Sequence, residues 1–84
     1  MSSIRLDGVR FVVWSDDHLP RHVHGIYGEV TVIVDLLDRE TVALSKRKSA
    51  VDPANAKQSD VRYIVATAGK HIEALHALWE KMHG

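Results

Sequence analysis

The sequence of 84 residues contains no cysteine, and no apolar run approaches the ~18 residues of a membrane-spanning helix. The missing cysteines exclude disulfide bonds and zinc sites built on thiolates. The N-terminal segment lacks the apolar stretch of a secretory signal, so we expect a cytoplasmic protein with no membrane association. Eleven Lys and Arg balance eleven Asp and Glu, which argues against general nucleic-acid binding because that depends on phosphate neutralisation.

Hydrophobic residues make up 45% of the chain, a share that is typical of a globular domain and excludes a disordered chain. The length indicates a single domain, residues 1–84, that buries only ~60% of the surface its unfolded form exposes. We therefore expect a partner to complete the small core. The partner is either a small cognate protein or a second copy of the chain, and the outer strand at Val42 to Leu44 is one candidate surface.

The β-sheet half of the domain, residues 1–45, has the pattern of an antiparallel meander of about five short strands. Asp7-Gly8 lies between apolar runs and predicts a tight hairpin turn, because a type I′ turn requires positive φ at both central residues. Residues 15–20 form a polar loop ending in proline, and a strand is predicted to start at His22. The longest predicted strand covers residues 29–37, where valines alternate on one face.

The helical half, residues 53–83, begins in one of two ways. Asp52-Pro53 is typical of an N-cap followed by proline, whereas Asn55 and Gln58 have the spacing of a capping box. An apolar stripe at three- and four-residue steps predicts one helix over residues 59–82, in which Gly69 either divides the helix or lets it approach the sheet closely. The stripe contains Val61, Ile64, Val65, Ala68, Ile72, Leu75, Trp79 and Met82. These patterns predict an α+β fold, with the antiparallel meander packed against a C-terminal α-helix.

Three of the six histidines, His18, His22 and His24, lie within seven residues. His22 and His24 share a face if they occupy a strand. Three histidines with an open fourth position match the ligand type of a catalytic zinc site, and Asp17 or Asp16 would be a fourth ligand or would orient a ring. Because the chain has no thiolates, a divalent transition metal such as zinc or nickel is favoured over copper(I).

The cluster has two further interpretations. Because imidazole titrates near neutrality, it can form a metal-free acid–base site, as in a ribonuclease-like hydrolase acting on RNA. The catalytic residues would then be Asp17, His18, His22 and His24, and the candidate phosphate contacts are Arg21, Lys46, Arg47 and Lys48. Alternatively, the histidines are structural and hold a loop that shapes a non-catalytic protein-binding or metal-binding module.

The segment from Phe11 to His24 reads F-V-V-W-S-D-D-H-L-P-R-H-V-H. It resembles the signature F-x-x-x-S-N-D-H-x-P-P-H-V-H of the bacterial family called domain of unknown function 4160, with Asp16 in place of Asn and Arg21 in place of the second proline. The resemblance covers most of the chain. Genes of that family are often paired with a gene for a small partner protein, in the manner of toxin–antitoxin modules. The resemblance therefore implies a toxin-like member of such a pair, with the histidine motif as its functional site.

Overall fold

The computed structural model contains six strands followed by two helices. The strands are β1 Ser2–Leu6, β2 Val9–Val13, β3 His22–Tyr27, β4 Val30–Leu36, β5 Val42–Leu44 and β6 Val51–Asp52, and the helices are α1 Gln58–Lys70 and α2 Ile72–His83. Both helices pack on the same sheet, so the α+β prediction is confirmed. Neither helix is long and apolar enough to cross a membrane.

All strand pairs are antiparallel, and the first five strands lie side by side in chain order, as the meander prediction requires. The β1–β2 turn has φ of 50° at Asp7 and 84° at Gly8, the positive values at both central positions that a type I′ turn demands. The two-residue strand β6 was not predicted. It pairs with Thr31 and Val32 of β4, on the same edge of β4 as β5.

The helical half differs from the prediction at its start. Asp52 is not an N-cap, because it lies in β6 and pairs with Thr31 in extended conformation. Asn55 is not an N-cap either: α1 begins at Gln58, after Lys57, and no side chain caps its first turn.

The single predicted helix is divided in two, and the division lies at His71 rather than at Gly69, which remains inside α1. The His71 backbone leaves the helical region, with φ of −117° and ψ of 31°. Its Nε2 atom lies 2.8 Å from an oxygen of Asp7 in the β1–β2 turn. The division therefore coincides with a contact between residues 64 positions apart, which helical periodicity does not register.

The core lies between the helices and one face of the sheet. Every residue of the predicted apolar stripe is either in this core or packed against it, and so the stripe prediction is confirmed. The sheet contributes alternating residues, including Val9, Phe11 and Val13 of β2 and Val23 of β3. His22 and His24 flank Val23 and therefore point to the opposite side of β3. Helix α2 nevertheless contacts this end of β3, because the ring centroids of Trp79 and His22 are 5.5 Å apart.

Candidate metal centre

Asp17, His22 and His24 form the one group of potential metal ligands in the structure, with their ligating atoms within 4.8 Å of one another. The two histidines come from β3, where the two-residue spacing places them on one side of the strand. Asp17 comes from the loop between β2 and β3. A tight turn precedes it, in which the Asp17 backbone N–H donates to the Trp14 carbonyl at 3.1 Å.

Both oxygens of Asp17 lie near Nε2 of His24, Oδ2 at 3.3 Å and Oδ1 at 3.4 Å, and each oxygen has one further partner. Oδ2 accepts a hydrogen bond from the backbone N–H of Trp14 at 2.9 Å, which holds the carboxylate in place. Oδ1 lies 3.4 Å from Nε2 of His22 and 3.4 Å from Nε2 of His24. Four ligands placed tetrahedrally at ~2.0–2.1 Å from a zinc ion are ~3.3 Å apart. Two edges of the ligand triangle therefore have the length that one bound ion requires.

The hydrogen bond of His22 to the backbone determines which of its two ring nitrogens carries the hydrogen. Nδ1 lies 3.0 Å from the carbonyl oxygen of Pro20, and a carbonyl only accepts, so Nδ1 carries the hydrogen. In the neutral ring Nε2 then presents a lone pair toward the Asp17 carboxylate. Two acceptors in contact repel each other unless a proton or a metal ion lies between them. Metal-binding histidines commonly donate their second N–H to a backbone carbonyl in this way.

The group is largely shielded from solvent. The side chains of His22, Asp17 and His24 are 5%, 12% and 21% exposed. Burial by itself would raise the pKa of Asp17, but the Trp14 N–H and the His24 ring act against it and hold the pKa below its usual value. Asp17 is therefore ionised at neutral pH, which is the form that binds a cation.

His18, included in the predicted three-histidine ligand set, lies outside this group. Its side chain is exposed, and Asp17 is the third member of the group instead. His18 lines an open cavity of about 420 Å³ together with Asp17, Trp79 and His83. The cavity gives solvent access to the Asp17 side of the group. Asp16 is exposed and does not belong to the group either.

The predicted phosphate contacts are dispersed. Arg21 donates to Glu80 at 2.9 Å and contacts the ring of His76, so its guanidinium is directed toward α2. Arg47 donates to Asp35 at 3.2 Å. Lys46 and Lys48 are exposed in the segment between β5 and β6. These side chains do not form a single basic cluster at Asp17, His22 and His24.

Sequence reasoning missed two contributions from α2. His76 is buried and contacts Arg21, and His83 stacks on Trp79 with ring centroids 4.2 Å apart. The four-residue spacing of His76 and Glu80 is compatible with a shared helix face, but the sequence contains no signal that this face meets Arg21, 55 residues earlier in the chain.

Comparisons of the chain with family models, curated proteins and solved structures gave no match. The interpretation of the site therefore rests on its geometry and on the chemistry of its side chains.

Proposed function

We propose that the protein binds a divalent transition-metal ion, zinc in the first place, through Asp17 Oδ1, His22 Nε2 and His24 Nε2. The position of Oδ1, 3.4 Å from both ring nitrogens, carries this proposal. The His22 tautomer and the ionised Asp17 support it, since both present lone pairs to the same point. Two histidines and one carboxylate form the ligand set of several zinc hydrolases. Non-haem iron uses the same ligand set, and so binding of both metals has to be measured.

We further propose that the bound ion serves hydrolysis. Three protein ligands leave a coordination position for water, and zinc lowers the pKa of bound water to ~7, which makes hydroxide available near neutral pH. The cavity beside Asp17 and His18 offers a route to this position. A ribonuclease-like activity, the resemblance to domain of unknown function 4160 and a toxin-like role beside a partner protein stay predictions from the sequence.

Metal-free acid–base catalysis is the second candidate function. One observation favours it: Asp17 lies 3.3–3.4 Å from both rings, close enough to stabilise a protonated imidazole. A charged and a neutral histidine on one carboxylate can act as general acid and general base. The two candidates differ in their response to a chelator, because only the metal-dependent reaction is abolished by it.

The test is elemental analysis of protein purified without a histidine tag, followed by calorimetric titration of the chelator-treated protein with zinc and with ferrous iron. We expect about one zinc ion per chain, as a single tetrahedral site implies. Asp17→Asn, His22→Gln and His24→Gln should each weaken zinc binding at least ~10-fold.

His71→Gln is the matched control, because His71 also contacts an aspartate, Asp7, but has no second histidine beside it. This variant should bind zinc as the parent does, and so should His18→Gln. No zinc or iron binding by the folded parent would refute the metal centre. Loss of binding in His18→Gln would instead support the three-histidine set. Hydrolysis that persists in chelator would favour acid–base catalysis.

A further inference from the structure

Two arginines face each other across β1 and β2 without an acidic partner. Arg5 and Arg10 are directly opposite in the register of the two strands. Among the arginines, Arg21, Arg39 and Arg47 form ion pairs, whereas Arg5 and Arg10 form none. Like charges directly opposite in an antiparallel pair destabilise the sheet. The register therefore places two positively charged residues side by side, neither of which has an ion pair, and a bound anion would neutralise both.

The arginine pair points to the face of the sheet that carries the candidate metal centre. Along β2, Val9, Phe11 and Val13 belong to the core, so Arg10 points to the opposite side. On β3 that side carries His22 and His24, since Val23 is in the core. The arginines and the two histidine ligands therefore share the sheet face opposite the core.

The strand register also places the arginine pair close to the candidate metal centre. Arg10 is opposite Ile26, while His24 is opposite Val12, which makes Arg10 and His24 diagonal neighbours on adjacent strands. Diagonal neighbours are ~7–8 Å apart, within reach of a long side chain. A ligand bound at His24 can thus also meet the guanidinium of Arg10, and that of Arg5 on the next strand.

We propose that Arg5 and Arg10 bind phosphate groups of a phosphate-ester ligand that lies across this face of the sheet and reaches the ion at Asp17, His22 and His24. The guanidinium group matches phosphate because its donors form a planar fork that bonds two oxygens at once. The inference rests on the proposed metal centre in one respect, namely that the reacting end of the ligand binds at the ion. The phosphate contacts themselves depend only on the arginine pair.

A binding experiment tests the proposal with two ligands, a 5′-mononucleotide and a fluorescein-labelled single-stranded RNA oligonucleotide. Binding is measured by calorimetry and fluorescence anisotropy, with zinc present. The double variant Arg5→Gln/Arg10→Gln should lose at least ~10-fold in affinity for whichever ligand the parent binds, as two charge-assisted contacts disappear. For the oligonucleotide, log K should fall less steeply with log salt, by ~1.4 in slope, because each phosphate contact contributes ~0.7.

Arg62→Gln is the control, because Arg62 likewise forms no ion pair but is an exposed residue of α1. It should bind both ligands as the parent does. The double variant should keep its zinc affinity and unfold at an equal or higher temperature than the parent, since a like-charge contact is removed.

The outcomes separate this proposal from the proposed function. Zinc binding without arginine-dependent binding of either ligand would refute the phosphate site and leave the metal centre intact. Arginine-dependent binding in a protein that takes up no metal would support the phosphate site and refute the metal centre. Equal losses in Arg62→Gln and in the double variant would also refute the phosphate site, because they would indicate a general charge effect.

Discussion

Nη1 of Arg21 lies 2.9 Å from Nδ1 of the buried His76, and this contact determines the tautomer of the imidazole. A guanidinium only donates, so Nδ1 accepts and Nε2 carries the ring hydrogen. Nε2 in turn donates to the carbonyl oxygen of Asp38 at 2.7 Å. The same Nη1 also donates to Glu80 at 2.9 Å. Arg21, which precedes His22, is therefore connected directly to α2 and, through His76, to the turn after β4.

Arg21→Ala should destabilise the fold by about 1–3 kcal/mol, because it leaves a buried acceptor, Nδ1 of His76, without a donor. The measurement is the midpoint of urea unfolding. Arg62→Ala removes an exposed arginine with no ion pair and should change stability by less than ~0.5 kcal/mol. Identical midpoints for the two variants would show that the contact with His76 contributes nothing to stability.

Zinc affinity should fall steeply as the solution is acidified. Protons compete with a metal ion for imidazole ligands in general over the interval from about pH 7.5 to about pH 5.5. Asp17 does not add to this effect, because its pKa is lowered and it stays ionised throughout that interval. Competition titrations with a chromophoric chelator measure the affinity at each pH. An affinity that does not change across the interval would exclude histidine ligands.

Stability should decline below about pH 4 partly through Asp17. Burial alone would raise its pKa, yet the Trp14 N–H and the His24 ring lower it below the unfolded value. A carboxyl with a depressed folded pKa contributes stability that is complete above the unfolded pKa and is lost as pH falls through the folded pKa. Asp17→Asn should therefore show a shallower acid decline than the parent in chelator-treated protein. Parallel acid-unfolding curves would contradict this.

Truncation of the two tryptophans should destabilise the fold to very different extents. Trp79 is 4% exposed and belongs to the core, whereas Trp14 is 44% exposed. Trp79→Ala should cost ~3–5 kcal/mol, because it removes a large buried side chain and leaves a cavity. Trp14→Ala keeps the backbone N–H that bonds Asp17, and should cost less than ~0.5 kcal/mol. Denaturant unfolding compares them, and similar costs would contradict the burial of Trp79.

Local patterns were sufficient to predict the first five strands of the sheet, although not the two-residue strand β6. The Asp7-Gly8 turn depends on the conformations of two adjacent residues, so it can be recognised without knowledge of the fold. The apolar stripe from Val61 to Met82 likewise identified the core face of the helical half. The division of the helical half at His71, by contrast, could not be predicted from a local pattern. It coincides with the contact to Asp7, and periodicity within a helix carries no information on such a distant partner.

The candidate metal centre could likewise be predicted only in part from the sequence. Strand alternation was enough to predict that His22 and His24 lie on one face. The sequence prediction placed His18 in the ligand set and gave Asp17 the role of a fourth ligand or of orienting a ring, because only the conformation of the loop decides between the two residues. Its Trp14–Asp17 turn directs the carboxylate toward the two rings and leaves His18 exposed. The Arg21–His76 contact was also beyond prediction, since 55 residues separate its partners.

Gly25 should be among the least replaceable residues of the sheet. It lies in β3 facing α1, and a Cβ added there would be 2.5 Å from Cγ2 of Ile64 and 3.1 Å from Cε1 of Phe11. Both side chains are fully buried, so neither can move aside without disturbing its neighbours. Gly25→Ala should therefore destabilise the fold by ~1–3 kcal/mol through overpacking.

Gly69→Ala provides the matched control, measured by the same denaturant unfolding. Gly69 lies inside α1, and a Cβ there would meet only Cγ2 of Val42 at 3.4 Å, an ordinary contact. Because alanine favours a helix over glycine by ~0.5–1 kcal/mol, this variant should be as stable as the parent or more stable. Ile64→Ala removes the methyl group with which the added Cβ of Gly25→Ala would clash. The loss of stability caused by Gly25→Ala should therefore be smaller in the Ile64→Ala background. If the two costs simply add, the close approach of α1 to β3 is not what constrains Gly25.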